Sequence, residues 1–284
     1  MAISPFIWLQ HVLPQHSLSK LAGRFAASEN PVIRDLLIRR FIRAYAVDME
    51  QAEREAHEYA SFNDFFTRSL KPGARPIADA SRFVVSPADG AVSQLGPITK
   101  GRIVQAKGRE YSVRELLGGD EEVAHKFEGG RFVTVYLSPS DYHRVHMPIA
   151  GTLQSTRYVP GRLFSVNTAT ADGVRDLFAR NERLVSLFDT DLGQVASVMV
   201  GAMIVASIET VWGGRVEPHG RDVIEQDFTR EGEDAVSLEA GAEMGQFLLG
   251  STVVLLFEPG KVEWLEELGP LSVVRMGEAI GLRV

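Results

Sequence analysis

Two uncharged apolar runs, Ser197–Ile208 and Phe247–Phe257, set the strongest limit on how this chain folds. Each is shorter than the roughly 20 residues that cross a bilayer as a helix. Each must therefore be buried inside protein, and short apolar runs bounded by turn residues read as core strands. From about residue 82 onward Phe132–Leu137, Val198–Glu209 and Thr252–Phe257 alternate with Gly and Pro punctuation. Ser112–Leu117 and Gly173–Ala179 are short helical candidates between them. The second run also contains a Gly250-Ser251 peptide. Glycine weakens a strand and marks a bend or a close backbone approach. A serine there puts a hydroxyl beside a backbone carbonyl; a bulged buried strand is the plainer reading.

Residues 1–70 read differently. Ile33, Leu36, Leu37, Phe41 and Tyr45 fall at helical spacing after Pro31, with Asn30 as cap. Arg34, Arg39, Arg40 and Arg43 stand against one acid, Asp35. A basic amphipathic helix of this kind lies on an anionic membrane surface, or packs on a core with its arginines in water. Met49–Tyr59 reads as a second, acidic helix, and Ser61 as the cap of an aromatic segment containing Phe62, Phe65 and Phe66. Those rings either contact acyl chains or staple the helices to the core. The turn-rich Leu70–Pro76 reads as a boundary. The expectation is an α+β fold: a β-rich core of many mostly antiparallel strands over 76–284, with a helical, membrane-associating region over 1–75.

Composition removes several classes of function. The 284 residues are 45% hydrophobic and 24% charged, enough for a sizeable core. A net charge of −7 gives no basic footprint for nucleic acid. With no cysteine, thiolate catalysis and cysteine-ligated metals are excluded. Met1–Phe6 lacks the basic start and clean apolar segment of a signal peptide.

Three groups of residues carry chemistry. Asp89 follows an apolar strand in Ser86-Pro-Ala-Asp-Gly90, a context that by itself means a turn. His143 and His146 sit three apart in Asp141-Tyr-His-Arg-Val-His-Met-Pro148. Histidine titrates near neutrality and suits proton transfer; a metal site would need further ligands, which no nearby cluster supplies. Ser251 is a poor nucleophile at its free pKa and needs an adjacent base.

Taken in order along the chain, these segments resemble the bacterial phosphatidylserine decarboxylases. The matching stretches are Phe62-Asn-Asp-Phe-Phe-Thr-Arg68, Ser86–Gly90, Tyr136-Leu-Ser-Pro139, Asp141–Pro148, Gly161–Asn167, Asn181-Glu-Arg183, Val200–Thr210, Leu249-Gly-Ser-Thr252 and Val274–Gly281. The His-Arg-Val-His-Met-Pro and Leu-Gly-Ser-Thr strings are the specific ones.

The resemblance implies self-cleavage between Gly250 and Ser251 by an Asp89, His146 and Ser251 triad, with Asp89 holding His146. Ser251 then becomes a covalent pyruvoyl group, the only cofactor, and no metal is implied. That group forms a Schiff base with phosphatidylserine and yields phosphatidylethanolamine and carbon dioxide, with His143 acting in the decarboxylation. The implied assembly is a heterodimer of chains 1–250 and 251–284, further dimerised, peripheral on the cytoplasmic face of the cell membrane. Three alternatives stay open on the residues alone. They are a metal-dependent hydrolase built on His143, His146 and Asp89, a lipid-binding domain without turnover, and a decarboxylase for another serine phospholipid.

Overall fold

The structure, a computed structural model, describes residues 8, 10–11, 13–106, 108–203, 208–216, 220, 222–229, 231–248 and 251–284. Three helices lead: α1 (Gln15–Ala26), α2 (Pro31–Tyr45) and α3 (Phe62–Phe66). Four short ones lie in the core: α4 (Val113–Leu116), α5 (Glu121–Lys126), α6 (Thr168–Gly173) and α7 (Leu177–Arg180). The first nine strands are β1 (Phe83–Val85), β2 (Gly90–Pro97), β3 (Arg102–Ala106), β4 (Arg109–Ser112), β5 (Arg131–Leu137), β6 (Arg144–His146), β7 (Gly151–Val159), β8 (Arg183–Thr190) and β9 (Gly193–Val200). The rest are β10 (Ile208–Thr210), β11 (Gly214–Arg215), β12 (Ile224–Asp227), β13 (Ser237–Leu238), β14 (Glu243–Phe247), β15 (Ser251–Phe257), β16 (Val262–Trp264), β17 (Val273–Val274) and β18 (Ala279–Arg283). The expected α+β fold with antiparallel strands is what forms; no described helix is long and apolar enough to cross a membrane.

A central sheet runs β12-β7-β8-β9-β15-β5-β2-β17, with β13 beside β7. Its middle strand, β15, explains its own apolar run. Val253, Leu255 and Phe257 enter one apolar cluster, and Val254 and Leu256 enter another on the opposite face. A strand buried on both faces has no position for a polar residue. The first face is covered by the β1-β18-β16 and β11-β10-β14-β6 sheets, which supply Val84, Ile280, Val145 and Met244. The second is covered by the β3-β4 hairpin and α4–α7, which supply Ile103, Tyr111, Leu116 and Phe178.

One row of paired residues crosses this sheet near one end: Val159, Arg183, Val200, Thr252, Tyr136, Ala91 and Val273. Every chain segment just beyond the row belongs to a single rim. Those segments begin at Pro160, Glu182, Gly201, Ser251, Ser138 and Asp89.

The N-terminal helices make a third cluster. Ile38, Tyr59, Phe62, Phe65 and Phe66 are buried together, with Phe41 edge-on to three of the phenylalanines. Asn30 caps α2 by accepting from Val32 and Ile33, and Ser61 caps α3 through the Asp64 amide, worth about 1 kcal/mol each.

Three expectations need correction. Met49–Tyr59 is not helical: Asp48 accepts from the Glu50 amide and Glu58 from the Glu55 amide, and such local bonds compete with a helix. Val198–Glu209 is not one strand but the end of β9 and the start of β10, with 204–207 between them outside the described residues. The helical content near Gly173 is split into α6, which ends at Gly173, and α7.

Candidate active site

The rim brings the sequence-derived residues to one place through backbone pairing alone. Ser251 opens β15 opposite Leu137, the last residue of β5. The next residues, 138–143, form the turn that leads into β6 and His146. On the other side of β5, β2 begins at Gly90, directly after Asp89. A Cβ at Gly90 would sit 2.2 Å from the Tyr136 carbonyl oxygen, so only glycine lets β2 approach β5 this closely. Leu249, Gly250 and the Ser251 side chain lie outside the described residues. The strand before them, β14, pairs with β6, and the Phe247 amide donates to the His143 carbonyl at 3.0 Å. The segment that contains the Gly250-Ser251 bond thus leaves β14 beside the two histidines and enters β15 between β5 and β9.

His146 is held by both ring nitrogens. Nδ1 donates to the Gly241 carbonyl at 2.8 Å, and the Tyr142 hydroxyl donates to Nε2 at 3.0 Å. A carbonyl only accepts, so these partners fix the Nδ1–H tautomer and leave Nε2 as the basic nitrogen. Its own amide donates to the Pro87 carbonyl, which ties β6 to the Asp89 turn. Burial pulls its pKa down, opposed by the Gly241 bond and by the negative charges of Glu243 and Asp89.

Asp89 does not hydrogen bond to the His146 ring. Its carboxylate takes the Arg75 guanidinium, with Nε on Oδ1 at 2.8 Å and Nη2 on Oδ2, and also accepts from the Met276 amide at 2.9 Å. A charged fork of two bonds outcompetes a neutral imidazole for a carboxylate. Asp89 therefore acts on His146 through space rather than as its tether.

His143 is fully buried and stacks on Phe66, centroids 4.0 Å apart. Nε2 donates to the Ser138 carbonyl at 3.0 Å, which leaves Nδ1 as a buried lone pair with no hydrogen-bond partner among the described residues. Burial, reinforced by the positive charge of Arg68, drives its pKa down to about 3.

Sequence reasoning did not single out Arg68, Arg75 or Tyr142 as site residues. Arg68 is 3% exposed and forms no ion pair among the described residues. Nη2 donates to the Ser140 and Asp141 carbonyls, while Nε and Nη1 have no hydrogen-bond partner among the described residues. A buried guanidinium is costly unless paired. One signal was present in the sequence: an arginine two residues after an aromatic block that has to be buried.

The chain matches known proteins over nearly its whole length. A family profile described as Phosphatidylserine decarboxylase covers residues 62–282, and a second, described as PSD, covers residues 5–46. Among similar proteins is a phosphatidylserine decarboxylase proenzyme of Stutzerimonas stutzeri (strain A1501), 56% identical over 97% of this chain and 93% of the relative. Others with the same name come from Shewanella halifaxensis (strain HAW-EB4), 55% identical over 96% of each chain, and Pseudomonas aeruginosa (strain LESB58), 56% identical over 98% of this chain and 96% of the relative.

Proposed function

The chain belongs to the phosphatidylserine decarboxylase family, and from that premise we propose that it cuts its own backbone between Gly250 and Ser251 to make a pyruvoyl enzyme. The reaction is loss of carbon dioxide from phosphatidylserine, leaving phosphatidylethanolamine. The observation that carries the self-cutting is the pairing row: it passes through Thr252, next to Ser251, with Asp89 and the 138–143 turn on the same rim.

Cutting begins when the Ser251 hydroxyl attacks the Gly250 carbonyl carbon. Its proton reaches His146 Nε2 by way of the Tyr142 hydroxyl that stands on that nitrogen. The imidazolium so formed keeps its Nδ1–H on the Gly241 carbonyl, and Asp89, fixed by Arg75, lowers its energy from a distance. The C–N bond breaks, the nitrogen takes the proton back, and the amide has become an ester. Removal of the residue-251 α-proton then expels Gly250 as a carboxylate and leaves dehydroalanine. Its imine tautomer exchanges ammonia for water and becomes the ketone. The sheet fits such an end, because Thr252–Phe257 is paired on both sides and holds the freed chain 251–284 in place beside chain 1–250.

The pyruvoyl ketone supplies a carbonyl that takes up the substrate amine and withdraws the electron pair left by departing carbon dioxide. His143 rests neutral, so it cannot begin as a proton donor. Its Nδ1, without a hydrogen-bond partner among the described residues, relays a proton to the carbon that carbon dioxide has left, as a transient carrier and not as a resting base. Residues 1–75 serve as a wall of this site and as a peripheral membrane contact, with 76–284 as the catalytic core. On α2 Val32 and Leu36 are exposed beside exposed Arg39, Arg40 and Arg43, the pattern of a helix lying on an anionic bilayer.

Intact-mass measurement tests the central claim. Wild type gives two fragments divided before residue 251, whereas Ser251→Ala stays one chain of 31.3 kDa. A Ser251→Ala protein that still divides there overturns it.

A further inference from the structure

Helix α1 is built inside out. Its buried residues are Gln15, Ser19 and Ala26, none of them a large apolar side chain. Leu18, Leu21 and Phe25, spaced three and four apart on one face, are 38%, 52% and 53% exposed. His16, Lys20, Gly23 and Arg24 occupy the opposite face at 100° per residue and line a cleft of about 920 Å³. A helix that serves only a soluble core faces the other way. Polar struts hold its N-terminal end in place. Gln15 accepts from the Leu163 amide at 2.9 Å, and buried Gln10 accepts from the Ser165 amide at 2.8 Å.

The far wall of the cleft takes Arg162, Leu163 and Glu182 from the active-site rim, beside Tyr158 and Arg215. The Glu182 carbonyl accepts from Gly201, and Gly201 follows Val200, the residue paired with Thr252. Two strand spacings, about 10 Å, separate the Glu182 end of the cleft from Ser251. Lys20 and Arg24 form no ion pair among the described residues, and Glu182 is the one carboxyl in the described lining. Burial pushes Glu182 upward, and it shares a hydrogen bond with Tyr158, so it opposes an anion less than a surface glutamate would.

We propose that this cleft first captures the phosphodiester of the lipid headgroup, gripped by Lys20, Arg24 and Arg162, before the serine amine moves on to residue 251, while Leu18, Leu21 and Phe25 of the same helix lie in the bilayer. The inference rests on the decarboxylase reading and names the residues that bring its substrate in. The apolar face sets the depth of the helix in the membrane, and the basic face draws the headgroup beneath it toward Ser251. Charge-assisted bonds from two walls suit a phosphodiester, whose two free oxygens carry one charge.

Calorimetry on the full chain, in a Ser251→Ala background that cannot turn the probe over, tests this with glycerophosphoserine and inorganic phosphate as separate probes. Glycerophosphoserine should bind the Ser251→Ala chain and lose about tenfold in affinity when Lys20→Gln/Arg24→Gln or Arg162→Gln is added. Equal affinity with and without those changes overturns the cleft. Inorganic phosphate that binds as tightly as the diester overturns the lipid source. Kinetics with monomeric dihexanoyl phosphatidylserine should show the variants raised in KM, with kcat held and self-cleavage normal. A defect seen only on vesicles of phosphatidylserine in phosphatidylcholine means the cations sense a charged surface and not a headgroup, and overturns the proposal. A wild type that neither divides nor releases carbon dioxide sinks the decarboxylase reading, while the calorimetry still judges the cleft.

Discussion

The two flanks of the rim solve opposite problems. Around β2, β5 and β6, Asp89, His143 and His146 are all under 10% exposed, and the Asp89 carboxylate and both His146 ring nitrogens have fixed partners. Around β7, β8 and α1 the rim is open and cationic, and one of its helices turns apolar residues to the outside. The dry flank suits proton transfers, which need fixed donors and acceptors in a low dielectric. The open flank suits delivery, where long-range charge and exposed apolar surface matter more than exact geometry. Ser251 opens the strand between them.

The largest effects should come from the dry flank and should separate its two histidines. His146→Ala should leave the chain undivided on a denaturing gel. His143→Gln should divide normally yet lose turnover by about 10²–10⁴-fold, the usual worth of a general acid–base. If His143→Gln also fails to divide, the two histidines share one task and the division of labour within the flank is wrong.

What the sequence disclosed follows from the range of the interactions. Phe132–Leu137 and Thr252–Phe257 were legible as strands because both of their faces are buried, which forces a continuous apolar run. His143, His146, Asp89 and Ser251 were legible as a group only through the order of their motifs. Their partners were not: Gly241 meets His146 across 95 positions, and nothing local marks a glycine carbonyl as an acceptor. Arg75 lay in a stretch that reads as a boundary, yet its guanidinium crosses into the core to take Asp89. Residues 70–76 thus carry a side chain that reaches the Asp89 turn. Leu18, Leu21 and Phe25 look like core residues in a sequence, and only the direction in which α1 faces reveals otherwise.

Arg68 sharpens the comparison, as a cation on the dry flank with no ion pair among the described residues. A structural arginine and one awaiting a substrate anion respond differently to removal. Arg68→Met deletes two bonds to the 140–141 carbonyls but also an uncompensated buried charge, and the two terms should cancel to within about 1 kcal/mol of stability. Turnover should fall about 10–100-fold, since charge-assisted contacts contribute about 1.5–3 kcal/mol. Arg68→Lys should not restore it, because an ammonium cannot reproduce the fork. Urea midpoints and kcat/KM measured on the same preparations check this. A stability loss above about 3 kcal/mol with kcat/KM intact would make Arg68 a brace for the turn.

The smallest expected effect tests dryness itself. In the unfolded chain the His143 imidazole binds a proton near its ordinary pKa of about 6.5, whereas in the folded chain it does so only near 3. Between those values the unfolded state holds more protons. The stability that His143 contributes is complete above about pH 6.5 and is lost as pH falls toward 3, at up to about 1.4 kcal/mol per pH unit. His146, also lowered by burial, acts in the same direction. Asp141 and Glu182, both raised by burial, act in the opposite one, so the wild-type slope alone does not isolate His143. The difference between wild type and His143→Gln does. Between pH 6.5 and 5.5 the wild type should lose about 1 kcal/mol more than the variant, read from urea midpoints at each pH. Equal losses would mean that the folded protein lets water and protons reach His143, and the two flanks would then differ in charge but not in dryness.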